Sequence, residues 1–137
     1  MQPDGKPVVG GDFSFTTLAG QARNRIARLS SPQAALQSLD ISASAVTWSR
    51  SGAGPELALP PTLLFSVLGD VYAPVGSMQR INGGWRLTGF APPLNQTFYL
   101  RARAQLSSGF GNGSGGLIES TRQFFIASDR IFANGFE

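Results

Sequence analysis

Residues 97–106, TFYLRARAQL, sort themselves by parity. Phe98, Leu100, Ala102, Ala104 and Leu106 fall on one side of an extended chain, and Tyr99, Arg101, Arg103 and Gln105 fall on the other. Side chains alternate across a strand with period two, whereas the same residues wound into a helix would be scattered around its circumference. The stretch is therefore a strand with one covered and one solvated face, which is the signature of an antiparallel sheet.

Its neighbours read the same way. Upstream, residues 81–90, INGGWRLTGF, carry Asn82-Gly83, the strongest short hairpin signal, with Ile81 before it and Trp85 and Leu87 after it. Residues 62–68, TLLFSVL, form an apolar run of strand length between Pro60-Pro61 and Gly69-Asp70. Further back, LQSLDIS and AVTWSR flank a short Ala-Ser turn and place Leu39, Ile41, Val46 and Trp48 in alternation. VYAPVG and SMQRI read as short edge pieces, since Pro74 cannot donate to a central ladder. Downstream, LIESTRQFFI is a last strand. About seven strands over roughly 90 residues, with turn signals between them, predict an antiparallel β-sandwich over residues 36–126. Trp48 and Trp85 are expected in its core, and no stretch reads as a helix.

Before this unit lie two β-prone runs, residues 7–14, PVVGGDFS, and residues 24–30, NRIARLS, separated by FTTLAGQAR. Two strands alone are marginal in water. Residues 1–30 are thus a fragment that needs something to pack against, SPQAA at residues 31–35 is a linker, and residues 127–137 are expected to be a flexible tail.

Composition narrows the chemistry. With 137 residues the chain has room for one ordinary domain and an attached fragment. It contains no Cys and no His, so disulfides, thiolate nucleophiles, imidazole bases and the usual zinc sites cannot be assembled from it. Eleven cations, ten of them Arg, stand against 8 acids and are scattered, which is no nucleic-acid footprint. Nor does any stretch approach the ~20 apolar residues of a membrane span, and no basic region followed by an apolar run opens the chain.

QPDGKPVVGGDF followed by RNRIARLS resembles the delta-60 repeat, a secreted bacterial repeat whose units form blades of a β-propeller. VTWSRSGAGPE, RINGGWRLTGF, LRARAQ and GNGSGGLIE resemble the C-terminal domain that often follows such repeats, and TFYLRARA resembles the penultimate strand of a fibronectin type III module. SDRIFANGFE is similar to a short tail on secreted proteins of related bacteria. Two departures stand out: Pro7 replaces an apolar strand residue, and SSPQAA replaces the usual Asn-x-Asp-Gly turn. The resemblance implies a partial propeller blade followed by an immunoglobulin- or fibronectin-III-like sandwich, a location outside the cell or at its surface, and upstream propeller repeats as partners. It also implies that the strand from Val8 to Phe13 lies against the sandwich or has an edge where a missing strand once paired.

Several stretches invite a sharper reading. Gly111, Gly113 and Gly116 match G-x-G-x-x-G, but a dinucleotide site needs that turn to open a helix, and a strand follows here. Ser114 sits among glycines without a histidine to activate it, and Lys6 is the only lysine. The eight acids are Asp4, Asp12, Asp40, Glu56, Asp70, Glu119, Asp129 and Glu137, and each has a simpler role than in a hydrolase pair: Asp4 and Asp70 at turns, Asp12 and Glu56 in loops, Asp129 and Glu137 in the tail. Asn95 and Asn112 head N-x-S/T sequons, which carry little meaning in a bacterial protein.

One candidate ligand-binding face remains: Tyr99, Arg101 and Arg103, with Arg50 and Arg86 as the cations placed to extend it. The expected function is that of a noncatalytic structural and interaction module without cofactor or metal. The alternative is a carbohydrate- or polymer-binding module, for an extracellular glycan or protein, that uses the Tyr/Arg face.

Overall fold

The computed structural model describes residues 8–18, 21–28, 33–107 and 115–128. Among them every regular element is a strand and every ladder is antiparallel. The first two are β1 (Val8–Leu18) and β2 (Gln21–Arg28). β3 (Leu36–Ser42), β4 (Ala45–Ser51), β5 (Thr62–Ser66) and β6 (Ala73–Ser77) follow. β7 (Gln79–Ile81), β8 (Gly84–Thr88), β9 (Thr97–Gln105) and β10 (Leu117–Phe125) complete the chain.

β9 holds the alternation read from its sequence. Phe98, Leu100 and Ala102 are fully buried and Ala104 nearly so, while Arg103 and Gln105 are exposed. Leu106 is half-buried and leaves the strand to bridge Leu57. β9 lies inside a sheet of order β10-β9-β5-β6, where its inward residues meet Leu63 and Phe65 of β5 and Ile118 and Phe124 of β10. Opposite it stands a second sheet, β3-β4-β8-β7, in which Trp48 pairs with Leu39 on one side and Trp85 on the other. Inward residues of both sheets form one core, so the two sheets are a sandwich. Phe98 is its aromatic centre: its ring lies 5.8 Å from Phe65, 6.3 Å from Phe90 and 5.7 Å from Phe124, within the range of favourable ring pairs.

There are eight strands in the sandwich where about seven were expected, and the two short pieces read from VYAPVG and SMQRI are β6 and β7, divided at Met78. β6 belongs to one sheet and β7 to the other, and the chain crosses between them at this buried residue. The Met78 N–H donates to the Pro61 carbonyl at 2.8 Å, which keeps the crossing from stranding a polar group. Both pieces are edge strands, as the proline at 74 suggested. At the far edge Arg122 of β10 reaches across to β3, donating to the Leu39 carbonyl at 3.0 Å and pairing with Asp40.

Gly84 fixes the approach of β8 to β4. A Cβ there would lie 2.2 Å from the Trp48 carbonyl oxygen and 2.9 Å from the Ser49 Cα. Gly83, in the Asn82-Gly83 turn, has open space but a φ of +79°. Beyond the expected boundary at residue 126, the Ser128 N–H still donates to Asn95 Oδ1 at 3.0 Å, so the packed unit reaches at least that far.

β1 and β2 form a separate two-stranded sheet. They are longer than their sequence suggested, since FTTL and QAR continue the strands rather than separate them. Val8, Val9 and Ile26 are exposed. The expectations for residues 1–7, for the glycines and serine of 111–114 and for the tail from Asp129 lie outside the described residues.

The two glycines make a paired prediction. Gly84→Ala meets backbone that cannot swing aside and should cost about 3 kcal/mol or more; Gly83→Ala meets only the left-handed conformation and should cost about 1–2 kcal/mol. Urea unfolding of both variants measures this, and equal losses would show that the β4–β8 approach is not as tight as described.

Candidate functional site

The expected face assembles on the outside of the β10-β9-β5-β6 sheet. Antiparallel register brings Thr121 beside Arg101 and Glu119 beside Arg103, so the neighbouring strand supplies the partners that local sequence could not reveal. Arg101 Nε donates to Thr121 Oγ1 at 3.0 Å, and Glu119 takes Arg103 at 2.5 Å and Arg101 at 4.0 Å. One carboxylate thus answers two guanidinium groups.

The loop between β5 and β6 closes over the other half of this face. Ser66 Oγ accepts the Gly69 N–H at 2.9 Å and turns the chain back, and the Gly69 backbone, at φ +86°, comes to lie against the Tyr99 ring. A Cβ at Gly69 would sit 3.2 Å from that ring. The turn delivers Tyr72 to Arg101, whose guanidinium carbon is 3.9 Å from the centre of the Tyr72 ring. Tyr99, Arg101 and Arg103 are therefore brought onto one face, with Tyr72, Glu119 and Thr121 as partners that sequence reading missed.

Arg50 and Arg86 do not extend this face, because both belong to the opposite sheet. Arg86 lies outward beside Thr47, with Nε 3.4 Å from Oγ1. Arg50 lies inward. It continues the Val46, Trp48 alternation of β4 and was misplaced because an arginine at such a position looks like the end of a strand.

At that end of the sandwich the Trp48–Trp85 pair carries two guanidinium caps. Arg50 stands 5.1 Å from the Trp48 ring and Arg80 5.2 Å from the Trp85 ring. Arg80 also binds Glu56 at 3.1 Å, a pairing exposed enough to add little to stability. The hydrogen bond and charge of Arg80 hold the Glu56 carboxyl below its usual range. Arg50 is half-buried, and burial pulls its guanidinium below the ordinary arginine value; Glu56 opposes that pull and Arg80 adds to it. The Arg50 Nε and the Trp48 Nε1, on consecutive inward positions of one strand, are both buried without an acceptor.

The remaining described acids are mostly tied elsewhere. Asp40 is held by Arg122, and Asp70 accepts the Val71 N–H at 2.7 Å. Leu117 begins a strand, so the glycine run before it does not open a helix as a dinucleotide turn must.

Residues 2–31 match the family described as a domain of unknown function (DUF5122) beta-propeller, and the rest of the chain is unassigned. No curated protein and no solved structure matches the chain. The match falls on the stretch that holds β1 and β2, outside both side-chain clusters described above.

The Tyr72–Arg101 contact can be weighed by a double-mutant cycle. Tyr72→Ala and Arg101→Ala should show a coupling of about 0.5–1 kcal/mol in urea unfolding. Strict additivity would mean that the ring merely shades the arginine.

Proposed function

We propose that the chain is a noncatalytic structural and interaction module of an exported bacterial repeat protein, with the sandwich standing behind a propeller repeat of the delta-60 type. The observation that carries this reading is the propeller-family match at residues 2–31 on a hairpin whose sheet has two strands among the described residues. Propeller blades are four-stranded, so the hairpin supplies half a blade and leaves Val8, Val9 and Ile26 uncovered. The preceding repeats are the partners that would complete and cover it, and an extracellular or surface location follows from the same resemblance.

The sandwich itself we read as immunoglobulin- or fibronectin-III-like. Lettered in chain order from β3, its sheets run A-B-E-D and G-F-C-C′, which is the order of that architecture with one added strand. This likeness concerns topology and carries no ligand with it. Support for a noncatalytic role comes from the missing His and Cys and from Asp40, Glu56 and Glu119, each engaged by arginine.

The polymer-binding reading of Tyr99, Arg101 and Arg103 finds less support, since Glu119 and Tyr72 already occupy those arginines. Binding to anionic glycans that disappears in Tyr99→Ala and Arg101→Ala would move the function to that face.

Modularity is testable by truncation. A chain beginning at Ala34 should unfold cooperatively with a melting temperature within a few degrees of the full chain, because among the described residues the hairpin shares no ladder with the sandwich. Loss of cooperative folding would make residues 8–28 part of the sandwich core and remove the basis for a separate module.

A further inference from the structure

We infer that the Arg50 end of the sandwich is a binding site for an apolar carboxylate, either a small organic acid or the C-terminal residue of a peptide. This goes beyond the module reading and does not depend on the propeller match.

Arg50 stands at the junction of two cavities. One, of about 390 Å³, is walled by Leu36, Leu106, Leu117 and Ile118, where the starts of β3 and β10 meet. The other, of about 100 Å³, is more polar and is walled by Gly52, Glu56, Arg80 and Trp85. Gly54 and Pro55 border both, as Arg50 does. The larger cavity falls in the size range of small-molecule sites, mostly apolar with a few convergent polar groups.

The described charges at the junction are net positive. Arg50 and Arg80 face a single acid, Glu56, and that carboxylate is committed to Arg80 at 3.1 Å. Arg50 has no ion pair of its own among the described residues, although the Glu56 charge reaches it; it is half-buried, with Nε lacking an acceptor and with Trp48 below it rather than a carboxylate. A guanidinium presents its N–H groups as a fork that matches a carboxylate in two parallel bonds. A ligand that sets its carboxylate on Arg50 and its body among Leu36, Leu106 and Leu117 would use both halves of the junction. A neutral apolar ligand would leave the cation unpaired, and a multiply charged one would put charge against the leucines.

Leu36 and Leu117 support the same conclusion from the surface. They are 61% and 59% exposed on adjoining strands of different sheets, so the cavity is open to solvent with an apolar lip.

Trp48 and Trp85 allow binding to be followed by their own fluorescence in the full chain. The probes are 4-phenylbutyrate against its primary amide, and N-acetyl-Gly-Phe against its C-terminal amide. Saturable binding of an acid, weakened at least tenfold in the matching amide and in Arg50→Gln, is the expected result. Saturation by phenylbutyrate alone identifies a free acid as the ligand source, by the dipeptide alone a peptide terminus, and by both the shared carboxylate chemistry. Should Arg50→Gln fail to fold, Leu117→Glu keeps Arg50 and sets a competing carboxylate on the exposed lip, and it should weaken the acid about tenfold. Equal binding of acid and amide, indifference to both substitutions, or no saturation by either acid up to about 10 mM overturns the proposal.

Discussion

The sandwich depends on the register of β9. Its inward side chains are among the most deeply buried in the described chain, and both neighbouring strands take their register from it. A slip of one residue would exchange Phe98, Leu100, Ala102 and Ala104 for Tyr99, Arg101, Arg103 and Gln105, putting two guanidinium groups into the core. Parity leaves only even shifts, and of these the observed register is the one that sets Phe124 opposite Phe98 and Glu119 opposite Arg103. Phe65 and Phe124 then necessarily reach Phe98, and the same parity puts Glu119 and Thr121 outside, beside the arginines.

The opposite sheet meets a different problem at its end. Alternation along β4 carries Val46 and Trp48 inward and then delivers Arg50 to the same side. The sandwich accommodates it by keeping the guanidinium over an indole near the open end, where part of its hydration survives. Arg80 repeats the device on Trp85, but with Glu56 to answer it and far more solvent. The difference between the two caps is what gives one of them chemistry to spare.

Strand identity was legible wherever burial on one face imposed period two, as in residues 97–106 and in the Val46, Trp48 run. Contacts set by pairing between distant strands were not. Nothing near Arg103 in the chain announces Glu119, and nothing near Arg101 announces Tyr72, which arrives through a turn held by Ser66 and Gly69. Arg50 is the instructive failure, because its inward position followed from the alternation already recognised and yielded to the habit of placing arginine on the surface. The two pieces on either side of Met78 were legible, but not their division between sheets, because sheet membership is set by pairing with distant strands. The two strands of the hairpin were legible from their own residues, whereas their place in a propeller came by resemblance alone, since two strands offer too little apolar surface to stand unaided.

The Arg122 clasp tells in which direction the chain runs through the molecule. Leu36 and Leu117 border one cavity at the starts of β3 and β10, and farther along the same two strands Arg122 meets Leu39 and Asp40, so the strands travel side by side in the same direction. The chain therefore enters the sandwich at one end and leaves it at the other. Tension applied through the preceding residues would be transmitted along the long axis, loading the seven-residue β3–β4 ladder in shear, with its hydrogen bonds resisting together rather than opening one at a time. Arg122 joins that strand to the second sheet, so a pull on β3 would be shared by both sheets.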